Sequence, residues 1–459
     1  MKIVAALLLA FLFADCQAQS DIKFASKGKI DYQLSVAQEE FIDSVQRNAF
    51  KYFLHEINPE NGLVKDRTAS WSAASIAAVG FAIPSYAVGA ERNWITREEA
   101  AKMVNVIIDF FLNSRQDSVT SATGYKGFYY HFLNMKTGKR DYHCELSTVD
   151  TGWLIAGIIF ARQYFNLNNE VENNIRANAD AIIERLDWNF FAMKTNDKYN
   201  NSISMGWIPD KGLHNMGWVG YNEAIILYIL AAGGNLENAK DAYRPWIDSY
   251  EWDEPYNGLA HVIFPPMFGH QYSHMFIDFR SMQDKYMKEK GIDYFENSRR
   301  AVLTQREYAI QNPNKWKGYD SFCWGISACD GPGEKFNYGD RKFLGYAGRG
   351  TSGNKNVFFD DGTLTPTAVA GSIVFAPEIC IPTLMNIHSK YSKNGLWSEY
   401  GLLDAFNPTL NWFNPEYIGI DQGPIVIMIE NFRSGLVWDY FMKDPLIQKG
   451  LKKLGFTQN

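Results

Sequence analysis

The stretch GWVGYNEAIILY, residues 217–228, sets Glu223 between a glycine and aromatic cluster and the start of an apolar run. A carboxylate near the first turn of a helix complements the positive end of its dipole, and many glutamates stand where they do for that reason alone. Trp218 and Tyr221 beside it add something further, because rings that desolvate a carboxyl raise its pKa toward that of a useful acid. Gly217 and Gly220 let the backbone turn tightly near a ligand. The helix dipole pulls the pKa the other way, so an acid role for Glu223 requires burial or a second carboxylate.

HCELSTVDTGW, residues 143–153, offers two more carboxyls, Glu145 and Asp150. Ser147 and Asp150 have the S-x-x-D spacing of a helix N-terminus, which explains Asp150 as a cap. Five residues apart, Glu145 and Asp150 would diverge by about 140° on one continuous helix. Both face one pit only if the helix starts near Ser147. GIDQGP, residues 419–424, puts Asp421 ahead of the apolar run IVIMI, again at a helix entrance with capping as the rival. GLVKDRTAS supplies Asp66 and Arg67 ahead of Trp71, an ion pair that either fixes a loop or touches a substrate. These groups share one feature: charge gathers where interior helices begin.

GHQYSHMFIDFR places His270, His274 and Asp278 at successive four-residue steps, the spacing of ligands on one helix face. HxxxH without the glutamate of HExxH is a weak signal, and these residues read as polar lining or buried hydrogen-bonding groups rather than as a metal site. There is no GxSxG elbow or GK[ST] loop, and neither a metal nor a cofactor is expected. Carboxylates with aromatic platforms remain. Rings stack on sugar faces and two carboxyls do acid and base work on a glycosidic bond, so a neutral oligosaccharide or polysaccharide fits.

Helices must position these groups. AQEEFIDSVQRNAFKYFLHEI carries apolar residues at three- and four-residue spacings, whereas SAASIAAVGFAIPSYAVG is small and apolar nearly all round. TREEAAKMVNVIIDFFLNSR opens with Thr96 and Glu99 in capping-box spacing. LSTVDTGWLIAGIIFARQYF reads as interior and NNEVENNIRANADAIIERLDW as exterior, and NEAIILYILAAGG with NLENAKDAYRPWIDSY repeats the pairing. TPTAVAGSIVFAPEICIPTLMNIHSKY reads as one helix with Thr365 at its N-cap and Pro366 at its first position. About ten to twelve helices of ordinary length result. An all-α toroid of nested helix hairpins is the simplest architecture with inner helices apolar on every face. The long aromatic and glycine-rich connections predict a few short β-hairpins, one at FFAMKTNDKYNNSISMGWIP.

With 459 residues, 46% of them hydrophobic and 15% aromatic, the chain supports a large core and leaves rings for a groove. Net charge is −6 without a Lys/Arg block, so nucleic acid is not an expected partner. Residues 1–18 read as an export signal, Lys2 followed by an apolar run, and 19–459 as a single domain. Two processing routes are open, cleavage after Ala18 and a lipid anchor at Cys16, with Asp15 departing from the usual lipoprotein box. The product is expected outside the cytoplasm, periplasmic or attached to the outer membrane, and monomeric. Cys144, Cys323, Cys329 and Cys380 read chiefly as buried thiols, CWGISAC being the one short loop that a disulfide would close.

Six motifs together carry a likeness: WVGYNEAIILYILAAGG, CELSTVDTGWLIAG, HQYSHMFIDFR, WGISACDGP, DDGTLTPTAVAGSIVFAPE and GIDQGPIVIMIENFRSGLVW. Across nearly the whole mature chain, from KDRTAS to the final GF, the sequence resembles the glycoamylase-like proteins of glycoside hydrolase family 144. The resemblance implies an (α/α)6 toroid, secretion by bacteria of the Bacteroidetes type, and hydrolysis of β-1,2-glucan or its oligosaccharides with inversion. It implies that Glu223 is an essential glutamate and Asp150 an essential aspartate, with Glu145 carried over less directly. Asp421 is a candidate base or water-positioning group from its own context. Trp218, Tyr221, Arg67, Trp71, His274 and Trp324 are the expected substrate contacts. A non-catalytic exported glycan-binding protein and a hydrolase of another glucan linkage are the alternatives.

Overall fold

The computed structural model describes residues 23–336 and 338–458. The export signal, the cleavage site and Cys16 lie outside the described residues. Fourteen α-helices and a set of very short strands make up the described chain. In chain order the helices are α1 (Val36–His55), α2 (Ile76–Glu91), α3 (Arg97–Asn113), α4 (Thr148–Tyr164), α5 (Glu170–Glu184), α6 (Ile225–Gly233) and α7 (Ala239–Asp248). Then follow α8 (Lys285–Lys290), α9 (Tyr294–Gln311), α10 (Pro366–Ala370), α11 (Pro377–Tyr391), α12 (Gly419–Arg433), α13 (Leu436–Phe441) and α14 (Pro445–Leu454).

Helices α2, α4, α6 and α12 are buried on nearly every side, while α3 and α5 bury one stripe each, Ala100, Val104, Ile107, Ile108 and Phe111 in α3 and Ile175, Ala179 and Ile182 in α5. Inner helices approach closely because glycines face one another. A Cβ on Gly80 of α2 would stand 2.4 Å from the Trp153 carbonyl oxygen of α4, and one on Gly157 of α4 would stand 2.3 Å from the Gly80 oxygen. The α6 and α14 pair uses the same device at Gly233 and Gly450. Buried apolar side chains form a continuous cluster that reaches from Phe24 to Phe456.

Local chemistry starts the helices where expected. Thr96 and Glu99 form the reciprocal capping box of α3, and the Ser147 hydroxyl oxygen accepts from the Asp150 amide at the start of α4. The segment read as one helix from Pro366 is two. Helix α10 ends at Ala370, turns follow over 371–375, and Ala376, non-helical at φ −148°, ψ 63°, precedes Pro377, where α11 starts. Thr365 stands at the N-cap of α10 without a capping bond, its hydroxyl donating instead to the Asp404 carbonyl oxygen at 2.6 Å.

The strands of the 190–213 region join a larger unit than a hairpin. Gly124–Tyr125, Phe128–Tyr130, Leu146–Ser147, Gly206–Ile208 and Gly212–Leu213 pair in that order as one antiparallel sheet. It leads straight into α4 through Ser147. All four described cysteines are free and buried.

Candidate active site

The starts of α2, α4, α6 and α12 surround one cavity of about 690 Å³. Its wall includes Asp66, Arg67, His131, Glu145, Asp150, Trp218, Glu223 and Asp421, with Trp153, Phe268, Tyr272 and Tyr346 supplying rings. Five carboxyls drawn from four separate segments of the sequence therefore share one space.

Glu223 lies in the turn just before α6, whose N-cap position is Ala224. The turn is fixed from behind: the Ser273 hydroxyl donates to the Glu223 carbonyl oxygen at 2.6 Å, and the Asn222 side chain accepts from the Ala224 amide at 3.0 Å. Burial among apolar walls, with a lesser contribution from the Asp150 charge, pushes the Glu223 carboxyl up to about 7. Desolvation thus prevails over the helix dipole. Trp218 is anchored by its indole N–H on the Thr148 hydroxyl, 3.0 Å away, which sets its ring in the cavity wall.

Asp150 is both cap-side and cavity-side, because α4 starts at Thr148. The Ser147 hydroxyl donates to its carboxylate at 2.5 Å. His131 lies between the two acids, Nδ1 2.9 Å from Glu145 Oε1 and Nε2 3.6 Å from Asp150 Oδ1. Burial opposes the imidazolium, but Asp150, Glu145 and Asp66 outweigh it and lift His131 to about 9. Burial raises Asp150, while Glu145 ends lower than usual because the His131 contact outweighs its desolvation. These three groups are the set among the described residues whose ligand atoms come within reach of one ion.

Beside the Asp66 segment, whose carbonyl oxygen accepts from the Gly419 amide at 2.7 Å, Asp421 in the first turn of α12 is not the cap: Ile418 is, and it makes no side-chain bond. Asp421 faces Asp404, a residue the sequence reading did not single out. Arg67 holds this side together, bonding Asp330 at 3.0 Å, Glu416 at 3.3 Å and Asp66 at 3.3 Å. The reading also passed over His131, Tyr272, Tyr346, Asp330 and Glu416. Asp404 carried a legible signal, a lone acid inside the apolar run GLLDAF.

Four expected substrate contacts lie elsewhere. Tyr221 is buried against Tyr294, ring centroids 6.1 Å apart, with its hydroxyl 3.5 Å from Ser298 Oγ. His274 is buried with Nε2 3.0 Å from Ser298 Oγ, and desolvation drives its pKa down to about 3. Trp324 is fully buried and donates to the Thr383 hydroxyl at 2.9 Å. All three obey the common rule that rings and histidines among helices are core. Trp71 is 65% exposed at the surface, its ring 5.8 Å from the Arg67 guanidinium, and is not part of the cavity wall. The His270, His274 and Asp278 spacing does not survive folding, because two 3-10 turns replace the helix and Asp278 pairs with Arg280 at 2.6 Å.

A family model described as putative glucoamylase matches residues 215–445. The solved structure of a putative glucoamylase from Bacteroides uniformis superposes with a TM-score of 0.79 at 33% identity, covering 93% of this chain and 99% of that one. The chain belongs to the glycoamylase family. An endo-β-1,2-glucanase from Chitinophaga pinensis, solved with sophorotriose and glucose, is similar to this glycoamylase-family chain with a TM-score of 0.78 at 28% identity, covering 93% of this chain and 99% of that one. A curated relative, the exo β-1,2-glucooligosaccharide sophorohydrolase (non-reducing end) of Parabacteroides distasonis, is 29% identical over 453 residues, 91% of this chain. The chain spans 58% of the length of that curated relative.

Proposed function

We propose that the protein is a glycoside hydrolase that cleaves β-1,2-glucan or sophoro-oligosaccharides with inversion, in a single catalytic domain folded as an (α/α)6 toroid. One observation carries this reading: Glu223, lifted to about 7, shares an aromatic-walled cavity with Asp150 and Asp421. The names of the relatives that span the cavity-forming chain support the linkage. The nesting of apolar helices α2, α4, α6 and α12 inside amphipathic ones supports the toroid.

Glu223 donates a proton to the leaving glycosidic oxygen, which a carboxyl with a pKa near the working pH does well. Water approaches from the other face of the sugar, where inverting enzymes keep their second carboxyl roughly 6.5–9.5 Å away. Asp421 receives its proton. Asp150 is less suited, since the Ser147 hydroxyl and His131 already engage its oxygens. Glu145 acts through His131, whose cation holds Asp150 ionised. Trp218 and Tyr346 supply stacking faces. Export to the periplasm or the outer membrane, as the N-terminal sequence suggests, would place the enzyme with such glucans.

A substrate panel tests the reading. Linear β-1,2-glucan and sophoro-oligosaccharides should release new reducing ends, while maltooligosaccharides should not. Cleavage of maltooligosaccharides alone would move the proposal to another linkage. Binding of sophoro-oligosaccharides without any turnover would make the protein a glycan-binding one.

A further inference from the structure

Asp404 sits behind Asp421, 2% exposed and outside the cavity wall. Its Oδ2 accepts from the Asp330 amide at 2.9 Å and from the Asn414 side chain at 3.2 Å. Its Oδ1 is buried with no donor among the described residues. The Asp421 carboxyl, itself 5% exposed, also lies within hydrogen-bonding reach of the Asp404 carboxyl. Two bare carboxylates facing each other in a buried place repel strongly, and an orphaned buried acceptor is costly. One proton placed between them removes both penalties.

We propose that Asp404 is the positioning residue for Asp421: the two carboxyls form a dyad that shares one proton, and Asp421 is its cavity-facing member. The inference rests on the reading of Asp421 as the base. In the hydrolytic step the water O–H bond breaks and that proton goes to the dyad. The water oxygen bonds to the anomeric carbon, the glycosidic C–O bond breaks, and the Glu223 proton goes to the leaving oxygen. The dyad passes from one proton to two. It returns one to solvent, and Glu223 regains one, before the next cycle.

The surroundings favour a single negative charge on the pair. Asp330, Asp66 and Glu416 add negative charge from neighbouring loops, Cys329, Tyr272 and Tyr346 face the pair as groups whose own ionisation it suppresses, and Arg67 is the cation that offsets Asp66, Asp330 and Glu416. Burial raises both carboxyls above the ordinary aspartate range; the Asp404 charge adds to the rise at Asp421, while the Asp330 charge adds to it at Asp404 and the contact with Asp421 partly offsets it there.

Asp404→Asn keeps the shape and gives Asp421 a permanent N–H, but an amide cannot share a proton. Its kcat on sophorotriose should fall by about 10–100-fold with KM within about twofold, below the full effect of losing a general base. The decisive reading needs no turnover. In a Glu223→Gln background, which removes the other near-neutral carboxyl of the cavity, infrared spectra at pH 7 should retain a protonated-carboxyl band that disappears when Asp404→Asn or Asp421→Asn is added. A band absent from the Glu223→Gln protein, or one that survives Asp404→Asn, overturns the dyad. Should Asp404→Asn fail to fold, the band in the Glu223→Gln protein and its loss with Asp421→Asn still decide the matter. If sophorotriose is not hydrolysed at all, the proposed activity falls while the infrared result stands or falls separately.

Discussion

Glu223 is a carboxyl kept where its charged form is unwelcome, and that has consequences for activity and for stability. A general acid must hold its proton, so the rate on a β-1,2-linked substrate should decline as pH rises through about 7, the value that burial gives Glu223. The sign for stability follows from linkage: the folded pKa lies above that of the unfolded chain, so ionising Glu223 penalises the fold increasingly between about pH 4.5 and 7. Glu223→Gln should therefore melt higher than the native protein at pH 8, and the gap should close toward pH 4, as read by thermal denaturation across pH. A constant gap would mean that the carboxyl is not desolvated. His131 has the same slope with pH, but there the fold favours the charged form instead of penalising it. Its folded pKa of about 9 lies above the ordinary 6.5, so the stability that it contributes is present in full below pH 6.5 and lost as pH rises through 9. His131→Gln should melt lower than the native protein at pH 6, with the difference shrinking above pH 9.

At the scale of elements, the site exists because four inner helices start at one place. They can lie that close because Gly80 and Gly157 meet across α2 and α4. Gly157→Ala would drive a methyl into the Gly80 carbonyl and should destabilise the fold by about 1–3 kcal/mol, as overpacking does. Denaturant titration measures this, and a pH–rate profile of unchanged shape would locate the effect in packing rather than in the carboxyls. These inner helices were legible because a run such as IAAVGFAIPSYAVG offers no wet face, and Ser147 was legible as a start from its S-x-x-D spacing with Asp150. Helix α9 was not anticipated at all. It turns Asn297, Ser298, Thr304 and Gln305 inward among Tyr294, Ala301, Val302, Tyr308 and Ala309, so polar residues interrupt the apolar stripe in the sequence. Gln305 uses that position to bond the Ile326 backbone through both its oxygen and its nitrogen, the kind of polar tie that hydrophobic periodicity cannot reveal.

For the molecule as a whole, sequence reasoning found the carboxyls but mistook part of the aromatic inventory. Glu223, Asp150, Glu145 and Asp421 all line the cavity, as do Trp218 and Arg67, whereas Tyr221, His274 and Trp324 are core. A ring in a motif is ambiguous, since the same side chain packs a helix or stacks on a sugar, and only the fold decides. Asp404 and His131 escaped because their importance comes from neighbours distant in the chain. We propose that these carboxyls carry out an inverting displacement with Glu223 as the acid. Proton NMR of the first product of sophorotriose hydrolysis, run beside the Glu223→Gln protein, reads the stereochemistry. The α-anomer of the newly released reducing end should appear first, and turnover by Glu223→Gln should fall by about a thousandfold or more with oligosaccharide binding retained. A β-anomer first, or a Glu223→Gln protein that turns over as fast as the native one, would contradict it.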